Sequence, residues 1–202
     1  MRPVTGSGTQ RTPTEAEVRE VVRRVVAGVH LEEPVPAPAA PSAPPGPAGI
    51  RRIAVGADHG GYPLKERLAF KLREAGYEVE DLGTTSGEAV DYPDFAHAVA
   101  ARVADGSSDV GIVVDGAGIG SAIVANKVPG VRAALCYDVS SARNSREHNH
   151  ANVLTLGAGL IGESLAWQIV EAWLATDPAP GRHARRVDKI SDVESRYLRA
   201  QR

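Results

Sequence analysis

Residues 109–121 read DVGIVVDGAGIGS, and the order of residue types in this stretch decides the architecture. Val110 to Val114 form an unbroken run of apolar residues and glycine, the pattern of a strand buried on both faces. Such a strand needs helices above and below it, as in sheets of parallel strands. Asp115 ends the run, glycines alternate at 116, 118 and 120, and a helix is expected from about Ile119. Four other stretches repeat the design: RRIAVGAD (51–58), YEVEDLG (77–83), VRAALCYD (131–138) and NVLTLGAG (152–159), each closing in Gly or Asp. Between them, Tyr62 to Ala75, Asp94 to Ala104, Ile119 to Lys127, Val139 to His148 and Ile161 to Ala175 have helical length and periodicity. Five β-α units predict an α/β fold with a five-stranded parallel sheet covered on both faces, and ligands held outside the carboxyl ends of its strands.

Outward from this region the composition changes. Seven of the 14 prolines fall between Pro34 and Pro47. That Pro/Ala-rich stretch cannot bury enough surface to offset its ordering entropy, so residues 32–49 are expected to be a solvated spacer. Upstream, residues 1–31 contain a short amphipathic helix. Its N-cap is expected at Thr12, with Pro13 in the first position and Glu15 reaching back. Val18, Val21, Val22, Val25 and Val29 make one apolar stripe, while Glu15/Arg19 and Glu20/Arg24 are i,i+4 pairs on the wet faces. A helix this short and this rich in valine is marginal alone in water, so the stripe calls for a partner. The remaining residues, 50–202, form the main domain.

Bulk properties exclude several function classes. The chain has 202 residues, 43% of them hydrophobic, which suits one ordinary domain plus an appendage. With 23 Lys+Arg against 25 Asp+Glu it has no electrostatic footprint for nucleic acid. A single cysteine, Cys136, excludes an internal disulfide framework and a multi-cysteine metal site. No stretch has the 18 or so apolar residues of a membrane span, and the first residues lack the order of a signal peptide; a soluble cytoplasmic protein is expected.

Candidate chemistry sits at the strand ends. Asp58-His59-Gly60-Gly61 pairs a carboxylate and an imidazole beside glycines, which suits sugar hydroxyl or phosphate recognition; the alternative is that Asp58 caps the next helix. Gly116 to Gly120 can turn backbone N–H groups toward one point, a place for an anion or a developing oxyanion. The spacing and position do not match the dinucleotide fingerprint. Asp115 at the mouth of this loop is a candidate general base, or else it hydrogen-bonds the turn. In Arg146-Glu147-His148-Asn149-His150 the two histidines face different ways on a helix, which argues against a metal site and leaves proton transfer by one of them, or a helix end whose dipole histidine complements. Residues 182–202 carry seven basic and three acidic side chains, and GRHARR (181–186) offers forked donors for a phosphate monoester, set against a plain solvated helix over Asp188 to Arg199.

The segments GADHGG, DYPDFA, DGAGIGSAIVANKVPGVRAAL, SREHNHANVLTLGAG and GRHARRV occur in that order, and over about residues 51–197 the chain resembles type B ribose-5-phosphate isomerases, of the sugar-phosphate isomerase family that includes galactose-6-phosphate isomerase. The resemblance implies a Rossmann-like three-layer sandwich. It implies a homodimer or tetramer with shared active sites, and interconversion of ribose 5-phosphate and ribulose 5-phosphate through a cis-enediolate without metal or organic cofactor. Carried over by position, Asp58, His59 and Tyr92 contact substrate. Gly116, Ala117, Gly118, Ile119 and Gly120 supply N–H groups, His148 promotes ring opening beside Asn149, and Arg182 and Arg186 bind phosphate. Two departures stand out. Asp115 occupies the position of a cysteine base, with Ser121 where other members use a glutamate. Gly159 occupies the position of a phosphate-binding arginine, for which Arg143 and Arg146 are the candidate substitutes. These departures keep open a tetrose or hexose phosphate, or a catalytically inactive sugar-phosphate-binding subunit. The N-terminal helix and linker resemble the encapsulation peptides of bacterial microcompartment cargo enzymes, which implies shell proteins as partners of residues 12–31. Docking onto its own oligomer is the competing reading.

Overall fold

The central strand β3 (Val110–Asp115) is buried at every position. It lies between β1 (Arg52–Ala57) and β5 (Val153–Gly157), which are buried from their second and first residues onward. The edges are β2 (Glu78–Asp81), exposed and acidic, and β4 (Ala133–Leu135), half-buried. All neighbours are parallel, in the order β2-β1-β3-β5-β4, with Val55, Ile112 and Leu154 in register across the middle. This is the five-stranded parallel sheet expected from the sequence. The computed structural model describes residues 14–28 and 49–199.

Helices cover both faces. On one side α2 (Tyr62–Glu74), α5 (Val139–Asn149) and α6 (Glu163–Leu174) bury Leu68, Leu72, Ala142, Ile169 and the fully buried Trp173 against Ile53, Ile112, Leu154 and Leu156. On the other, α3 (Tyr92–Ala104) and α4 (Ile119–Ala125) pack Ala96, Val99, Ala100 and Ala125 against Ala54, Val113 and Val153. α3 begins two residues before the expected start at Asp94, because Pro93 sits in its first turn, where the missing N–H would have no intrahelical acceptor. A final helix, α7 (Arg182–Arg199), packs on α5. It runs unbroken from the basic trio through the segment expected as a tail helix, so the two readings of that region describe one element.

The chain leaves β1 for β2 on one side and returns past β1 to β3 on the other, so the loops after β1 and β3 diverge at a topological switch point. Their closeness requires Gly61: a Cβ there would lie 2.0 Å from the Val114 carbonyl oxygen.

The chain divides into two units, residues 1–41 and 42–202. In the first, α1 (Glu15–Gly28) carries the capping box two residues later than expected. Thr14 N–H donates to Glu17 Oε2 (2.7 Å) and Glu17 N–H donates to Thr14 Oγ1 (3.4 Å), the reciprocal pair that the motif requires. Thr12, Pro13 and Val29 lie outside the described residues, as do the side chains of Val22 and Val25 and residues 32–48 of the spacer. The Arg19–Glu15 (2.6 Å) and Arg24–Glu20 (3.2 Å) pairs form as the spacing indicates, and Val18 and Val21 are exposed.

Lys65 ties the edge strand to the core. It is fully buried on α2, with its ammonium 2.7 Å from Asp81 Oδ2, 2.8 Å from Glu66 Oε1 and 3.1 Å from the Thr84 carbonyl oxygen. Burial alone would lower its pKa, but the hydrogen bonds and charges of Asp81 and Glu66 outweigh it and raise the pKa above the ordinary 10.5. Lys65→Ala, which strands the partly buried Asp81, should cost about 3–5 kcal/mol of stability in a denaturant titration. Because the pKa is higher in the folded state, this contribution is intact below pH 10.5 and fades as pH climbs through the raised value.

Candidate active site

Asp115 is the last residue of β3, and its side chain turns back into the loop that follows. Oδ1 accepts from Ala117 N–H (2.8 Å) and Gly118 N–H; Oδ2 accepts from Ser121 N–H (3.1 Å) and the Ser121 hydroxyl (2.5 Å). Asp115 is 5% exposed and Ser121 is fully buried. The carboxylate thus does hold the turn, and it takes up two of the loop N–H groups expected to await an oxyanion. Gly118 sits at φ 75° as the N-cap of α4, the left-handed conformation that glycine adopts without strain. Ile119 and Gly120 open α4, so their N–H groups have no intrahelical acceptor.

The neighbouring loops close around this one. Asp58 is buried and accepts from Gly61 N–H (2.9 Å), which closes the turn leading into α2; Gly61 itself is the N-cap and no side chain caps this helix, so Asp58 is not the cap of the alternative reading. A Cβ on Gly60 would lie 3.5 Å from Gly116 N, which puts the two loops in contact. His59 is exposed, with Val90 N–H 3.2 Å from its Nδ1. The Tyr92 ring lies over Gly120, where a Cβ would come within 2.6 Å of it. Asp58, His59, Tyr92 and residues 115–121 are therefore one constellation at the carboxyl end of the sheet. Tyr137 joins them by donating its hydroxyl to the Ala117 carbonyl oxygen (2.8 Å), a residue the sequence reading missed. Its place just past the end of β4 was the available signal.

Gly159 also belongs here. Its N–H donates to the Gly116 carbonyl oxygen (2.9 Å), and a Cβ would lie 2.9 Å from the same atom. A side chain at 159 would need the glycine loop to move. Arg146 does not replace the absent arginine: it is buried, donates to the carbonyl oxygens of Ala151 (2.6 Å) and Thr176 (3.4 Å), and lies over the Trp173 ring. Arg143 is exposed on α5.

A second group of residues forms elsewhere. α5 leaves the carboxyl end of β4 and descends to the amino end of β5, so His148 and Asn149 sit at the opposite end of the strands from Asp115. Val153 is in register with Gly111, four residues before Asp115, which corresponds to about 13 Å of strand. There the Asn144 amide nitrogen is 2.8 Å from His148 Nδ1, an i,i+4 contact that helical spacing alone could have revealed. His148 stacks on His183, the residue after Arg182 in the first turn of α7, with Arg186 one turn on. His150 adopts φ 51° as the C-cap of α5 and its Nε2 lies 2.8 Å from the Ala179 carbonyl oxygen, a structural role. Asn149 lines a surface groove of about 510 Å³ beside edge strand β4. The chain thus carries two separate clusters of polar residues.

A glycine loop anchored at the switch point of a parallel sheet, with polar side chains converging on it, marks a ligand-binding α/β enzyme. The Ribose/Galactose Isomerase family matches residues 53–190. Ribose-5-phosphate isomerase B of Escherichia coli is 46% identical over 147 residues, covering 73% of this chain and 99% of that protein. D-erythrulose-4-phosphate isomerase of Pectobacterium atrosepticum is 43% identical over 143 residues, 70% of this chain and 94% of that protein. The solved structure of Clostridium thermocellum ribose-5-phosphate isomerase B superposes with a TM-score of 0.72 at 52% identity, covering 72% of this chain and 99% of that one. The chain belongs to the ribose/galactose isomerase family, and it is a sugar-phosphate isomerase by class.

Asp115→Ala removes an acceptor shared by three buried or half-buried N–H groups and a hydroxyl. It should lower stability by about 2–4 kcal/mol, read as a drop in the denaturant midpoint with the slope unchanged.

Proposed function

We propose that this protein interconverts ribose 5-phosphate and ribulose 5-phosphate through a cis-enediolate, with Asp115 as the base and without metal or organic cofactor. The observation that carries the reading is the Asp115–Ser121 pair at the mouth of the glycine loop, in contact with the loop bearing Asp58 and His59. Asp115 takes the proton from C2 of the open-chain aldose and returns it to C1, while a proton passes from O2 to O1. To do so it needs one oxygen free. Turning the Ser121 hydroxyl away from Oδ2 frees it, at a cost of about 1 kcal/mol for one exchanged hydrogen bond. The N–H groups of Ile119 and Gly120 then face the negative oxygen that develops, where each such donor is typically worth ~3 kcal/mol.

The second cluster is read as a partner copy's contribution, which makes the working unit a homodimer or tetramer with shared active sites. With the Asn144 amide nitrogen donating to Nδ1, neutral His148 carries its proton on Nε2. That proton goes to the furanose ring oxygen as the C1–O bond breaks. The anomeric hydroxyl passes its proton to the vacated Nε2 in the same step as the carbonyl forms, so histidine ends unchanged. Asn149 holds a sugar hydroxyl, and Arg182 and Arg186 bind the phosphate. Gly159 removes one fork from that clamp, which favours a looser or different fit. A tetrose phosphate, as in the name of the Pectobacterium relative, is the near alternative.

The saturated carboxylate favours a second reading, a catalytically inactive sugar-phosphate-binding subunit. Solvent-proton exchange at C2 of ribose 5-phosphate separates the two. Wild type should exchange and produce ribulose 5-phosphate, whereas binding without exchange fits the inactive subunit. Asp115→Asn keeps an acceptor for Ala117 and Gly118 N–H but turns an amide toward Ser121 N–H, so it should fold with reduced stability and lose exchange by at least about 100-fold.

Residues 1–31 and the spacer 32–49 are read as an encapsulation segment, supported by the exposed Val18 and Val21 on a helix whose other faces are charged. The protein would then act inside a bacterial microcompartment, bound to its shell proteins through residues 12–31. Deleting residues 1–31 should leave turnover intact and release the protein from purified shells; loss of the oligomer instead would make the helix part of the assembly.

A further inference from the structure

His183 is named by none of the sugar-directed roles above, yet its ring lies face to face with His148, centroids 4.2 Å apart and planes 13° from parallel. It is 9% exposed, whereas His148 reaches solvent. Arg182 Nε is 3.1 Å from His183 Nε2, so that nitrogen accepts an N–H and the ring proton resides on Nδ1. Nδ1 is buried with no hydrogen-bond partner. A ring fixed for its hydrogen bonds would use both nitrogens; this one uses only one, and its face is what it presents.

The surroundings of the ring disfavour its charged form. Burial acts first, and the His148 imidazole on α5 and the guanidinium groups of Arg182 and Arg186 on α7 act with it to hold the His183 pKa below the ordinary histidine value; Glu147 on α5 opposes them. An uncharged flat surface against His148 leaves that imidazole one orientation in its plane. The Asn144 amide fixes Nδ1 at one end, and the stack stops the ring from tilting about that bond.

We infer that His183 is a positioning residue for ring opening: by stacking, it holds His148 so that Nε2–H points out of the cluster toward the ring oxygen of a cyclic sugar phosphate. The inference rests on the isomerase reading and deepens it. It also predicts a split between substrates, because His148 acts only on a ring. Ribose 5-phosphate is a furanose, whereas ribulose 5-phosphate has its 5-hydroxyl blocked and stays open-chain.

The full-length protein and its variants are assayed for turnover of ribose 5-phosphate and, separately, for solvent-deuterium exchange at C1 of ribulose 5-phosphate. His183→Ala should slow the first about tenfold, in kcat more than in KM, and leave the second within about twofold. His183→Phe, which keeps the flat face and discards the nitrogens, should restore turnover. His183→Leu fills the volume without a flat face and should behave like the alanine variant even if the latter folds poorly. Equal loss of both rates, no loss of either, or a phenylalanine variant as slow as the alanine variant would overturn the inference. A wild-type protein inert toward both sugars would instead reject the isomerase reading beneath it.

Discussion

At the carboxyl end of the central strand one carboxylate binds its own loop. Asp115 gathers the N–H groups of Ala117, Gly118 and Ser121 and the Ser121 hydroxyl, and this fixes the course of the chain from the strand into α4. Everything else at this end takes its position from that turn. Gly60 and Gly61 come close to residues 114–116, Tyr92 lies on Gly120, Tyr137 holds the Ala117 carbonyl, and Gly159 binds the Gly116 carbonyl. A neutral side chain at 115 could not satisfy four donors at once. The same bonds that build the loop therefore compete with any chemistry the carboxylate performs, and the Ser121 hydroxyl, able to rotate about one bond, is where that competition can be released.

The division of polar residues between the carboxyl and amino ends of the strands has a topological cause. In a parallel sheet each helix carries the chain from the carboxyl end of one strand to the amino end of the next, so residues at the end of a connecting helix are displaced from the loops by the length of a strand. Asp58, His59, Tyr92 and Asp115 follow strands or open helices; His148 and Asn149 close one. α7 starts at the same end and brings Arg182, His183 and Arg186 to His148. Each end carries a coherent cluster of its own, a carboxylate-bound glycine loop at one and stacked histidines beside arginines at the other.

Gly159 and Asp115 are linked through Gly116, whose carbonyl accepts from Gly159 N–H next to the carboxylate-bound turn. A side chain at 159 would press on the loop that Asp115 organises. The two positions are thus coupled through backbone contact.

Much of this protein is legible from residue order. Buried runs such as GIVVD and VLTLG, each with the helical period after it, determine the strands, the helices and the parallel sheet, because apolar periodicity is a local property that any core must match. Local signals also misplace elements by two residues: Pro93 suits the first turn of α3, and the capping box at Thr14 and Glu17 competes with the similar pattern two residues earlier. Tertiary structure alone decided that Asp115 faces its own loop, that Arg146 spends its charge on the carbonyls of Ala151 and Thr176, and that His183 stacks on His148. Those outcomes depend on which groups compete for the same donors and acceptors across elements far apart in the chain, and one-dimensional spacing carries no record of that competition.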